Sequence, residues 1–388
     1  MKFPRITGSI QHVDPKHYDD LIRSYVEEVS AVDGVLGIAL FGSVTTPGLS
    51  DIDLIVTVPD EGPYPAWEQI SLRLHAQGHP AESVIAHDVF VWPQSVAQQA
   101  EAFFYVDQQT VLYGSRLGGR LDKKLIPQFK QLLTMDYLLH RFDSLATILL
   151  SRHVAIRTVL LFISTLRHTA ILAVELNLLD QVAGDALRED INSLRAAVIV
   201  GEVDQDVFDQ WPNRIVELLW NVSLALGDVM GLNTSNASHT KWSPSRRKML
   251  LCSNAKNGLQ EWEYCINKQA GKWLSKYVQA APVPACFLNH VQSYYQVEST
   301  SATYLAKHFP AVFKPTAEAS SIEARAIRIE TVIKHWNLLS QSQFCLSSGK
   351  GYVGIAMPER VNAKTRVLKI FTALNAQMLV LKSKLNNK

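Results

Sequence analysis

Two carboxylates, Asp51 and Asp53, stand one apolar residue apart at the head of a run, Leu54 to Val58, dominated by β-branched side chains. Such a run reads as a buried strand, and residues two apart in a strand point to the same face. Both acids should therefore project together from the mouth of one strand. Upstream, the apolar stretch Ile38 to Phe41 ends in Gly42 and Ser43, and seven residues rich in turn formers, Val44 to Ser50, lead to Asp51. Paired acids at a strand mouth can hold Mg²⁺, which takes one or two carboxylates and fills its octahedral shell with water and substrate phosphates. The other reading of the same residues is a hairpin with two solvated turn aspartates, because Pro47, Gly48, Ser50 and Asp51 all favour turns.

Phe41-Gly42-Ser43 followed by Asp51-Ile52-Asp53-Leu54 resembles the signature of the nucleotidyltransferase superfamily that includes polymerase beta. The stretch Asp88 to Gly114 is similar to small bacterial members, so the likeness spans residues 35–114, under a quarter of the chain. It implies an α/β (α+β) palm with a mixed sheet, followed by a larger all-α helical domain. The expected division is a catalytic domain over 1–121 and a helical domain over 122–388, which a breaker-rich stretch at 233–244 could subdivide.

The implied activity is transfer of a nucleoside monophosphate from an NTP to an acceptor hydroxyl at a two-metal Mg²⁺ site, with ATP among the candidate donors. Two ions about 3.5–4 Å apart stabilise the attacking and leaving oxygens together. Asp51 and Asp53 are then the bridging metal ligands. Gly42 admits the triphosphate close to the backbone, and Ser43 offers a hydroxyl and an N–H to its β- or γ-phosphate. A third acid completes such a site, and Asp88 is the expected one. It lies within the apolar run Ser83 to Trp92, where an unpaired acid is expensive. Glu82 and Asp107 are the competitors, and a buried salt bridge is the structural alternative for Asp88. His87 is set aside, because adjacent strand residues face opposite ways. Phosphate charge could be met by Arg116, Arg120, Lys123 or Lys124, which equally suit a solvated linker.

These residues need elements to position them. Helical spacing over 18–32, strands at 35–41 and 54–58, a helix over 66–77 stopped by Gly78, a strand over 83–92, a short helix over 95–104 and a final strand near 110–113 give the α/β order. Beyond Leu121 the pattern is helical, with helices expected near 125–150, 153–179, 185–200, 206–231, 257–280, 286–296, 321–341 and 360–385. Heptad regularity is absent, which favours a packed bundle.

Charge is unevenly spread. Residues 1–125 carry 9 Lys and Arg against 16 Asp and Glu, residues 126–237 carry 8 against 13, and residues 238–388 carry 21 against 7. The basic C-terminal third suits RNA, another anionic partner or the chain's own acidic part. Lys241, Trp242, Arg246, Arg247 and Lys248 could clasp a backbone and stack a base, or form a solvated loop. An RNA or phosphorylated-metabolite acceptor is therefore favoured over the polycationic substrate of an aminoglycoside adenylyltransferase. Modification of a protein hydroxyl, and a non-catalytic nucleotide- or RNA-binding module, remain alternatives. The first twenty residues hold no apolar core of a secretory signal, and no run of about 18 apolar residues exists. Cys252, Cys265, Cys286 and Cys345 form no Cys-x-x-Cys pair. A cytoplasmic protein with reduced thiols and no membrane span is the expectation.

Overall fold

The computed structural model describes residues 1–42, 48–102, 109–201, 204–232, 241–242, 248–252, 258–269, 280–284, 286–287, 290, 323–328 and 330–331. They group into two compact units. One consists of Ser9–Leu133 with the described part of Glu323–Arg360, the other of Met1–Gly8 with the described part of Thr134–Ile322. The first strand, β1 (Arg5–Thr7), thus belongs to the later unit.

The first unit opens with α1 (Pro15–Val29), where Asp14 caps the helix by accepting from the Lys16 N–H at 2.9 Å and Pro15 occupies the first turn. Tyr18, Leu21, Tyr25 and Val29, spaced three and four apart, are its buried face. Then come β2 (Gly37–Phe41), β3 (Asp53–Val58), α2 (Trp67–Ile70), α3 (Leu72–His75), β4 (Phe90–Pro93), α4 (Gln94–Ala97) and β5 (Gln109–Gly114). The four strands form a mixed sheet in the order β4-β3-β2-β5, antiparallel except for the parallel pair β3 and β4. This bears out the mixed α/β character expected for the N-terminal region.

Alternation divides the sheet's apolar residues between two layers. Ile38, Leu54, Val56 and Val91 pack with the buried face of α1, whereas Ala39, Phe41, Ile55 and Trp92 pack with Val96, Ala97, Ala100 and Leu117. With both faces covered, β3 is buried from Leu54 to Val58. Each of the aliphatic ones contributes about 1.5–3 kcal/mol of burial, which holds the start of β3 in place. The helix expected over 66–77 is broken at Ser71, whose ψ of 112° is extended, and the following turn ends before Gly78 at φ +77°.

The unit boundary falls within α5 (Ile126–Leu149). The later unit continues with β6 (His153–Ala155), α6 (Ile156–Glu175), α7 (Gln181–Ile199), α8 (Gln205–Asp209), α9 (Trp211–Val229), β7 (Lys241–Trp242), β8 (Lys248–Cys252), α10 (Gly258–Gln269) and β9 (Ala280–Pro284). Strand β6 pairs in parallel with β1. The substantial helical content expected here is present, but the region is not all-α. β7, β8 and β9 form a three-stranded sheet with β8 central. Pro282 and Pro284 sit on the edge strand β9, where a missing N–H is tolerated. α6 has the length and composition of a membrane span, with mean hydropathy 1.4, yet 56% of that stretch is buried within the fold, as in a core helix. The helix expected over 360–385 lies outside the described residues.

Candidate metal centre

The approach to Asp51 is fixed by α1. The buried Tyr18 hydroxyl donates to the Ser50 carbonyl at 3.0 Å and accepts from the Gly48 N–H at 2.9 Å. Gly48 has φ +84°, and a Cβ there would lie 2.0 Å from the Gln11 carbonyl oxygen, so only glycine fits. Asp51 then turns inward. One carboxylate oxygen accepts from the N–H groups of Ile52 and Ala86, each at 2.9 Å, and the side chain is 11% exposed. Two residues on, Asp53 begins β3 opposite Phe41, with 39% of its side chain exposed. Gly42, one residue past Asp53's partner Phe41, has φ +69°, and a Cβ there would meet no described atom within 4 Å.

The third member of the cluster is His87. Its Nε2 lies 2.6 Å from Asp53 Oδ1 and 3.7 Å from Asp51 Oδ2. Its Nδ1 lies 2.7 Å from the backbone oxygen of Asp88, which can only accept, so Nδ1 carries a proton and Nε2 faces the acids. The ring also packs edge-on against Phe90, with centroids 4.8 Å apart. Asp51, Asp53 and His87 each offer a ligand atom within 4.8 Å of the others, and the trio could hold a metal ion. Fixing one ring nitrogen on a backbone carbonyl so that the other faces the ion is the usual way of orienting a ligating histidine. The donor set fits a divalent cation.

Within the cluster the charges compensate one another. Burial raises the Asp51 carboxyl above its ordinary range, and the neighbouring Asp53 adds to this; His87 and the two N–H donors oppose it. Burial disfavours a charged His87, but the hydrogen bond and charge of Asp53, and then Asp51, outweigh it and push the imidazole up to about 9. The carboxylate pair thus attracts a positive charge.

Asp88, the expected third acid, is elsewhere. One of its oxygens accepts from the N–H groups of Leu72 at 2.8 Å and Val89 at 2.9 Å, and the other accepts from the Ser71 hydroxyl at 2.6 Å. It is an acceptor at the start of α3, and the cluster that could hold a metal brings His87, not the expected Asp88, to Asp51 and Asp53. The cause is local backbone. Glu82–Val84 is a 3₁₀ turn and β4 begins only at Phe90, so strand alternation does not govern 85–89. The signal in the sequence was His87 itself, discarded by a periodicity that does not reach it.

Gly42 lies at the site, whereas Ser43 and Asp107 lie outside the described residues. Glu82 accepts from the Gly78 N–H at 2.9 Å, as a turn residue would. Arg116, Arg120, Lys123 and Lys124 are exposed. Lys241, Trp242 and Lys248 fall on β7 and β8, and Arg246 and Arg247 lie outside the described residues. Comparison with family models, curated proteins and solved structures gave no match for this chain.

Proposed function

We propose that the chain is a cytoplasmic, metal-dependent nucleotidyltransferase of the polymerase beta-like superfamily, with its palm in the first unit and its acceptor contacts in the later, helix-rich region. The observation that carries this reading is the register of Phe41 against Asp53, by which β2 ends in a left-handed glycine where β3 begins with the second of two carboxylates. A triphosphate needs that combination: backbone without a Cβ to approach, and acids to hold the cations that accompany it.

Asp51 and Asp53 would hold the metal ions, Mg²⁺ by the resemblance, and His87 would supply a nitrogen to one of them. When bound, the ions neutralise charge on the attacking and leaving oxygens. Asp51, oriented by two backbone N–H groups, is the rigid ligand; Asp53, more exposed, is the one able to bridge outward. The surplus of Lys and Arg in residues 238–388 favours RNA or a phosphorylated metabolite as acceptor. Incubating the protein with each α-labelled NTP, Mg²⁺ or Mn²⁺, and total cellular RNA tests the reading. Label in RNA or in a small phosphorylated acceptor is expected; release or transfer of none, with every NTP and both ions, contradicts it.

A second reading is favoured by the His87–Asp53 contact. A protonated imidazole between two carboxylates can itself neutralise them, which suits a nucleotide- or RNA-binding module that has lost its metal. Binding of NTP unaffected by chelation would select it.

A further inference from the structure

Where α6 and α7 face each other, three arginines gather, two of them without a carboxylate partner among the described residues. On α7, Arg188, Asn192 and Arg195 recur four and three residues apart and share a face. On α6, Ser164 and Arg167 form the facing row. Arg195 is 5% exposed, and a guanidinium N–H donates to the Ser164 hydroxyl, which in turn donates to the Leu160 carbonyl at 2.6 Å. Arg167 donates from Nε to the Ser164 carbonyl at 3.2 Å and from its terminal nitrogen to Asn192 Oδ1 at 3.1 Å. Two guanidinium groups therefore converge on one serine. Arg188, further out, spends its charge on the exposed Asp185 at 3.2 Å.

Neither Arg167 nor Arg195 has a carboxylate within ion-pair distance among the described residues. A buried guanidinium with only neutral partners is costly, by several kcal/mol in ordinary cases. Burial, and then the charge of Arg167, bring Arg195 down to about 10; burial, and then Arg188, lower Arg167. The cations thus oppose one another in a segment, residues 126–237, where Asp and Glu outnumber Lys and Arg. A planar fork with five donors is made for an oxyanion.

We infer that the place where α6 and α7 face each other is an anion site that takes a phosphate monoester dianion, with Arg195 as its floor, Arg167 as its wall and Arg188 with Asn192 as its exposed rim. The dianion would draw on the donors of Arg195 and Arg167 left over from Ser164 and Asn192. Neutralisation by ligand would offset the charge of two guanidinium groups that meet no carboxylate among the described residues. The site is independent of Asp51, Asp53 and His87.

Calorimetric titration of the full-length chain with inorganic phosphate and with AMP, in chelator and at constant ionic strength, tests this. The wild type should bind one phosphate group per chain, with a parallel rise in Tm. Arg195→Met should weaken that binding at least about tenfold, while its Tm without phosphate equals or exceeds the wild type's. AMP binding tighter than phosphate assigns the source to a nucleotide; equal binding assigns it to phosphate itself. Arg167→Gln, at the half-buried wall, provides a second route and should weaken phosphate several-fold without lowering Tm. Failure of the wild type to bind phosphate at about 10 mM, or wild-type affinity in either variant, overturns the inference.

Discussion

His87 Nε2 sits 2.6 Å from Asp53 Oδ1 across 34 residues of chain, because Ala86 is tied by its N–H to Asp51 and His87 by its ring to the Asp88 carbonyl. One hydrogen bond positions the backbone and the other the ring. Together they turn an acid pair into a mixed oxygen and nitrogen donor set, which separates the candidate ions. Imidazole suits Mn²⁺, Zn²⁺ or Co²⁺ better than Mg²⁺, whose preferred ligands are oxygens. His87→Ala should weaken Mn²⁺ binding by about tenfold or more and leave the weaker Mg²⁺ binding little changed, as read by Mn²⁺ paramagnetic resonance and Mg²⁺ competition. Unchanged Mn²⁺ binding would remove His87 from the donor set.

Asp88 now carries a different expectation. Its carboxylate accepts from the Ser71 hydroxyl and the N–H groups of Leu72 and Val89. Asp88→Ala leaves these donors unmet and should cost about 1–3 kcal/mol of stability in urea unfolding. Metal affinity of the folded variant should match wild type. A fully stable variant with lost metal binding would restore Asp88 as a ligand.

Tyr18 and Gly48 hold the loop that delivers Asp51. Tyr18→Phe removes a buried hydroxyl that bridges Gly48 and Ser50, and should destabilise by about 1–2 kcal/mol. Gly48→Ala should be worse than this, because its Cβ would meet the Gln11 backbone and φ +84° disfavours any side chain. Thermal unfolding of the two variants checks the order, and a milder Gly48→Ala would mean the loop can shift.

Much of this was legible in the sequence. The β-branched run Leu54 to Val58 is the buried central strand β3, and the stretch ending at Phe41 is β2, its antiparallel neighbour. Helical periodicity found α1 and the helices from α5 to α9, though α1 starts at Pro15, earlier than its apolar spacing suggests, because Asp14 caps it. Two features were hidden for physical reasons. Residues 85–89 look like strand, since apolar groups alternate there, but their backbone hydrogen bonds are diverted to carboxylates rather than to a ladder. The run Met249 to Cys252 is too short to separate strand from helix by period, and its partner β9 contains two prolines.

Cys286 offers a test of the later unit's packing. Its thiol is buried, donates to the Ser223 carbonyl at 3.5 Å and is pushed up to about 12, chiefly by burial. At pH 8 only about one molecule in ten thousand would carry a thiolate there, so iodoacetamide should label the half-buried Cys265 and spare Cys286 until denaturant is added. Because the folded pKa is raised, the unfolded state releases this proton first. Stability should therefore fall as pH rises above about 9, by about 1.4 kcal/mol per unit, and Cys286→Ala should lack that component. Rapid native labelling of Cys286 at pH 8 would show that this packing is wrong.

Transfer of α-labelled nucleotide by Asp51→Asn and Asp53→Asn, each compared with wild type at saturating Mn²⁺ or Mg²⁺, tests the central proposal most directly. An amide keeps the shape of each side chain and lacks the negative charge that holds a cation, so transfer should fall by roughly 10²–10³, about 3–4 kcal/mol of transition-state stabilisation. The thermal unfolding profile of each variant should stay cooperative, since among the described residues these side chains meet two backbone N–H groups, at Asp51, and His87. A folded Asp51→Asn or Asp53→Asn protein transferring at the wild-type rate would contradict the metal-dependent reading.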